Sequence, residues 1–204
     1  MTLFGNENSF SHNVLPEGGT VNYFGKFVAK EDADFWYENL LSSIDWKNDE
    51  AIMFGKKIIT KRKVAWYGDQ PFAYTYSKAT KYALSWTAEL SKIKQLVEKL
   101  TAASYNSCLM NLYHDGAEGM AWHSDAEKTL LENGAIASCS FGAERKFSFK
   151  NKKNGQIVSL NLEHGSLLLM KDETQKNWLH RLPKTTTVSS PRINLTFRTI
   201  VNQF

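Results

Sequence analysis

Three residues of this chain have the types and spacing to hold a metal ion. His123 and Asp125 lie two positions apart, and His180 follows far downstream. In an extended segment, side chains two apart project from the same side of the backbone. Two imidazoles and one carboxylate occupy one face of a metal and leave the other face open, as in non-haem iron(II) oxygenases. Zinc hydrolases also mix His and carboxylate ligands, so the triad alone does not fix the metal. His-x-Asp is a common pattern, and its ordinary reading is a surface turn. The other histidines, His12, His114 and His164, sit in the lead-in segment or beside glycine turns.

A second constellation makes the first one specific. In Arg192-Ile-Asn-Leu-Thr-Phe-Arg198, strand alternation puts Arg192, Asn194, Thr196 and Arg198 on one face and Ile193, Leu195 and Phe197 on the other. A polar face with two arginines is costly to bury unless an anion pairs with it. Arginine grips a carboxylate in a bidentate fork. A dicarboxylate such as 2-oxoglutarate would give one carboxylate to an arginine and chelate the metal with its keto-acid end. Asn111 and Tyr113, just upstream of the metal residues, could donate further hydrogen bonds to a carboxylate.

Two helices and a run of short strands must position these groups. Glu31 to Ile44 predicts a helix, with Trp36, Leu40 and Ile44 on one stripe and acids in its first turn. A second helix is expected from Thr87 to Leu100, striped by Leu90, Ile93, Val97 and Leu100. After residue 105, β-like runs follow at Ser107–Tyr113, Ile136–Phe141, Lys146–Lys150, Ile157–Leu162, Ser166–Met170 and Arg192–Val201. Asn154-Gly155 between two of them is a hairpin signal. Many short strands in succession predict a sandwich or barrel. Residues 1–20 predict an irregular tail, followed by a single domain over 21–204.

With these residues in hand, the chain resembles the AlkB family of iron(II)- and 2-oxoglutarate-dependent nucleic-acid dealkylases. Asn111-Leu-Tyr113, His123-Ser-Asp125, Ser140-Phe-Gly142-Ala-Glu-Arg145, His164-Gly-Ser166, His180 and the Arg192–Arg198 run carry the resemblance, in order, over about residues 50 to 200. The subgroup most similar to it holds the animal AlkB homologues that repair DNA. The resemblance implies a mainly β fold with flanking helices, the double-stranded β-helix or jelly roll. It implies iron at His123, Asp125 and His180, and dioxygen at the open metal face. Arg192 would hold the distal carboxylate of 2-oxoglutarate with help from Asn111 and Tyr113, and Arg198 and Asn194 would lie near the metal.

The resemblance also implies substrate contacts. Glu127 would meet the exocyclic amine of a damaged base, although Ala126-Glu127-Lys128 also resembles the first turn of a helix. Tyr76, in Tyr74-Thr-Tyr76-Ser77, would stack on a flipped base opposite His123, with Ser77 beside it. Phe54 matches a wedge residue of duplex-specific members, and an exposed Phe among lysines suits unstacking. Lys61-Arg62-Lys63 would contact phosphate. The run between Lys150 and Gln156 is short, so basic contacts that some members carry in a longer loop are not expected.

The implied reaction is oxidative demethylation of 1-methyladenine and 3-methylcytosine in DNA, single- or double-stranded, with RNA as a further partner. The same chemistry on RNA or on a protein substrate, and a non-catalytic nucleic-acid-binding jelly roll, are the alternatives. The base must leave the stack to be reached. The composition agrees with this reading. A net charge of +4 permits a nucleic-acid partner without demanding one. No apolar run is long enough to span a bilayer, so no membrane partner is expected. With no secretory start and two unpaired-looking cysteines, a cytoplasmic monomer is the expectation.

Overall fold

The computed structural model describes residues 12–53, 56–76 and 79–201, without the side chains of 51–58 and 74–81. In chain order the elements are β1 (Thr20–Lys26), α1 (Lys30–Ser43), β2 (Lys47–Met53), β3 (Lys56–Gly68), β4 (Ala73–Tyr76), β5 (Ala79–Tyr82) and β6 (Leu84–Ser85). They continue with α2 (Ala88–Thr101), β7 (Ser107–Tyr113), β8 (Met120–His123), β9 (Ile136–Gly142), β10 (Arg145–Asn151) and β11 (Ile157–Leu162). The last are β12 (Ser166–Lys171), α3 (Thr174–Asn177), β13 (Trp178–Leu182) and β14 (Arg192–Arg198).

Both long helices form where their stripes predict. The Thr87 hydroxyl caps α2 by accepting from the Leu90 amide at 3.1 Å, and Ala102 closes the helix in the left-handed region. Leu90, Ile93 and Val97 of α2 and Leu40 of α1 are fully buried against β7, β9 and β14. In β14 the alternation holds. Ile193, Leu195 and Phe197 join this helix-side core, while Arg192, Asn194, Thr196 and Arg198 line a pocket on the other face.

The strands form a major sheet in the order β1-β12-β9-β14-β7-β3-β2, with β6 added parallel to β3, and a minor sheet in the order β11-β10-β13-β8. The named pairs within this path are antiparallel. A second core, with Val21, Phe149, Leu162, Leu168 and Trp178, draws on β1 and β12 of the major sheet and β10, β11 and β13 of the minor one. This is the jelly roll, with helices on one sheet.

The Asn154-Gly155 turn joins β10 to β11 as expected. Gly155 takes a φ of 74°, which favours glycine. The last strand stops at Arg198 instead of running to Val201, because the Asn106 side chain brackets Ile200. Its oxygen accepts from the Ile200 amide at 2.7 Å and its nitrogen donates to the Ile200 carbonyl at 2.8 Å. The described part of the lead-in, residues 12–19, is irregular, yet it is held from Asn13 onward. Leu15 is buried, and the Trp178 indole donates to the Glu17 carbonyl at 3.0 Å.

Candidate metal and cosubstrate site

The two histidines of the triad face each other across neighbouring strands. His123 ends β8 and His180 lies mid-β13, in direct register, with ring centroids 4.3 Å apart. Asp125 follows two residues past the strand end, and candidate ligand atoms of all three lie within 4.8 Å of one another. The triad is therefore assembled, with one ligand on a loop and two on paired strands.

Each ligand is prepared by its surroundings. The Nδ1 of His123 lies 2.8 Å from the Ala121 carbonyl. Donation there leaves Nε2 as the free lone pair. His180 is buried under Phe147, and burial pushes its pKa down to about 4. A neutral imidazole, the form that binds metal, therefore prevails at neutral pH. For Asp125, burial works against the charge, but the Arg198 guanidinium and the two imidazoles outweigh it and hold the carboxyl below its usual range. Arg198 Nη1 lies 3.6 Å from Asp125 and 3.7 Å from Glu127.

Sequence reasoning missed the clip that holds this loop. The Asp125 amide donates to the Gln175 side-chain oxygen at 2.9 Å. Lys152, from the β10–β11 turn, donates to the Gln175 carbonyl at 2.8 Å and to the Ser124 hydroxyl at 3.2 Å. The loss of an outer-shell partner commonly costs about 10–100-fold in metal affinity. Gln175→Ala should weaken metal binding within that range, measured by titrating the protein with Mn(II). Unchanged affinity would remove Gln175 from the support of the triad.

At the far end of β14, Arg192 is buried without a carboxylate partner among the described residues. Nη2 donates to the Ser140 hydroxyl at 2.9 Å, Nε has no partner, and the guanidinium lies 5.6 Å from the Tyr113 ring centroid. Burial pushes its pKa down to about 10, so the group is still a cation at neutral pH. A buried, unpaired cation facing a pocket is strongly unfavourable unless an anion joins it. The same pocket is lined by Asn111, Tyr113, His123, Asp125 and His180. Two imidazoles and a carboxylate at one end, and an orphaned guanidinium at the other, fit a divalent metal together with a dicarboxylate.

Arg62 departs from expectation. Far from reaching phosphate, its side chain folds from β3 onto β7. It pairs with Asp49 and donates to the Asn111 side-chain oxygen at 2.6 Å. The Asn111 oxygen is thereby occupied, which leaves its NH2 for a carboxylate. Asn194 is also engaged. Its NH2 donates to the Ser138 hydroxyl at 2.8 Å and the Cys139 carbonyl at 3.0 Å, and its oxygen accepts from Thr196. Glu127 is half-exposed in an irregular loop, not a helix. Phe54 and Ser77 lie outside the described residues. Tyr76 ends β4, but its side chain lies outside them too.

Comparison with known proteins follows the same lines. Residues 20–198 match the model of the 2OG-Fe(II) oxygenase superfamily. The chain belongs to that superfamily, in its AlkB family. The alpha-ketoglutarate-dependent dioxygenase alkB homolog 3 of Mus musculus is 37% identical over 95% of this chain and 71% of its own length. The DNA oxidative demethylase ALKBH2 of Homo sapiens is 35% identical over 93% of this chain and 76% of its own. The solved structure of OsALKBH1 superposes with a TM-score of 0.64 at 15% identity, over 91% of this chain and 98% of that one, and shares the fold. The oxygenase is thus an iron(II)- and 2-oxoglutarate-dependent dioxygenase. Among its described residues no helix is long and apolar enough to cross a membrane.

Proposed function

We propose that this oxygenase repairs DNA by oxidative demethylation of N-alkylated bases, 1-methyladenine and 3-methylcytosine. The observation that carries the reading is its likeness, over more than nine-tenths of its length, to a protein named a DNA oxidative demethylase and to another named an alpha-ketoglutarate-dependent dioxygenase. We assign it one oxygenase domain over 21–204 and the state of a cytoplasmic monomer. The two free, buried cysteines, Cys108 and Cys139, suit a reducing compartment.

Iron(II), 2-oxoglutarate and dioxygen supply the oxidising power that hydroxylates the N-methyl carbon, after which the hydroxymethyl group leaves as formaldehyde. The chain's own residues bind and orient. His123, Asp125 and His180 hold the metal on one face. Arg192 receives the distal carboxylate, with Asn111 and Tyr113 beside it. Arg198 and Asn194 shape the metal-proximal end, where Arg198 keeps Asp125 ionised. Tyr76 and the His123 ring enclose the flipped base, Ser77 borders it, and Phe54 fills the gap left in a duplex. Glu127, at the mouth beside Arg198, accepts from the exocyclic amine of the base.

The decisive experiment incubates the protein with iron(II), 2-oxoglutarate and oligonucleotides carrying 1-methyladenine, as single-stranded DNA, duplex DNA and RNA. Mass spectrometry should show loss of the methyl group from DNA. Turnover of 2-oxoglutarate without loss of methyl from any DNA would overturn the reading, and loss from RNA alone would move it to RNA. Glu127→Ala separates base handling from oxygen chemistry. It should reduce demethylation by roughly tenfold or more, as expected for a lost hydrogen bond to a charged group, and leave substrate-free 2-oxoglutarate turnover near normal. Equal loss of both would contradict the assignment.

A further inference from the structure

The minor sheet has a second face, and its chemistry differs from the metal side. His180 and Arg181 are consecutive in β13, and Trp122 and His123 are consecutive in β8, so Arg181 and Trp122 point away from the metal. There the Arg181 guanidinium sits 4.4 Å from the Trp122 ring centroid. It borders a cavity of about 490 Å³ that Lys146, Lys184, Asn161 and Thr185 also line.

The cavity is a concentration of unpaired positive charge. Lys146, Lys184, Arg181 and Arg145 all line it, and the only carboxylate among its lining residues is Glu144. None of the four cations forms an ion pair with a described residue. Arg145 is buried, and its four hydrogen bonds all go to carbonyl oxygens, those of Asp115, Gly116, Glu118 and Pro183. The Nε of Arg181 is buried and has no partner. Clustered cations without counter-charges are electrostatically unfavourable in the free protein, and an anion relieves them.

We propose that this cavity binds the phosphate backbone of the nucleic-acid substrate at a distance from the flipped base. The inference rests on the functional reading above and extends it to a second subsite. β8 is the edge strand of the minor sheet, and it carries His123 on the metal side and Trp122 on the other. A strand leaving the metal mouth therefore meets Trp122 and Arg181 as soon as it turns over this edge, with Lys146 and Lys184 beyond. Aromatic surface interleaved with cations is how single strands are held without sequence preference.

The test uses the double variant Lys146→Glu/Lys184→Glu, whose sites are exposed and away from the metal, and separately Arg181→Gln. Affinity for an unmodified 20-nucleotide single strand is measured by fluorescence anisotropy against salt, next to demethylation of a methylated trinucleotide. The double variant should bind the 20-mer on the order of tenfold more weakly. The slope of log affinity against log salt should flatten by about 1.4, two phosphate contacts at roughly 0.7 each. Trinucleotide demethylation should match the parent. Unchanged 20-mer affinity and salt slope would overturn the subsite. So would loss of inorganic phosphate binding with 20-mer affinity intact, which would make the cavity a small-anion site. If the parent failed to demethylate the trinucleotide and every longer DNA, the functional reading would fall, and the binding data would still decide the subsite.

Discussion

Replacing His123 with Ala will take 2-oxoglutarate turnover to background while the protein still folds. His123 is the informative ligand to remove because it is only partly buried at the end of an edge strand. His180 is nearly inaccessible and stacked on Phe147, so its truncation would mix a packing defect with loss of a ligand. Losing one of three protein ligands should cost more than the roughly 10–100-fold typical of an outer-shell partner. Mn(II) titration should show the weakened site directly, and circular dichroism should superpose on the parent. Retained turnover in His123→Ala would mean that the metal is held elsewhere.

The site was more legible in the sequence than the strands that hold it. β14 could be read because its two faces differ so sharply, with Ile193, Leu195 and Phe197 against the helices and the charged residues opposite. The helices could be read because their stripes are apolar and Thr87 marks a start. β3 could not. Its middle reads Thr60-Lys61-Arg62-Lys63, so no apolar period of two survives there. The segment looks like a basic loop until its pairing with β7 is seen. The role of Arg62 was hidden for the same reason. Its partner Asp49 lies on β2, and no local pattern joins an aspartate there to Asn111 on β7. Gln175 was hidden because a single amide in a one-turn helix carries no signal until Asp125 is placed beside it.

The Arg192 clamp yields a prediction with two opposite signs. Arg192→Met keeps much of the side chain's apolar volume and removes the charge. In the parent without cosubstrate, the buried guanidinium has a hydroxyl partner in Ser140, no carboxylate, and an unsatisfied Nε. An unsatisfied buried polar group costs about 1–3 kcal/mol. The variant should therefore melt higher than the parent when no 2-oxoglutarate is present, by about 2–4 °C for each kcal/mol in a protein of this size. Cosubstrate binding should move the other way. Removing one partner of a buried, hydrogen-bonded charge pair costs about 2–5 kcal/mol. At roughly 1.4 kcal/mol per factor of ten, the KM for 2-oxoglutarate should rise at least about 30-fold. The stabilisation that 2-oxoglutarate gives the parent in a thermal melt should vanish over the same concentrations. A variant that is simply misfolded would melt lower and lose everything, so the rise in apo stability separates a lost clamp from a damaged fold. If Arg192→Met kept the parent's KM and its ligand-induced shift in Tm, the distal carboxylate would have to be held by another residue. Arg62 would be the next to test, since it reaches the same pocket through Asn111 and lies 6.0 Å from the Tyr113 ring centroid.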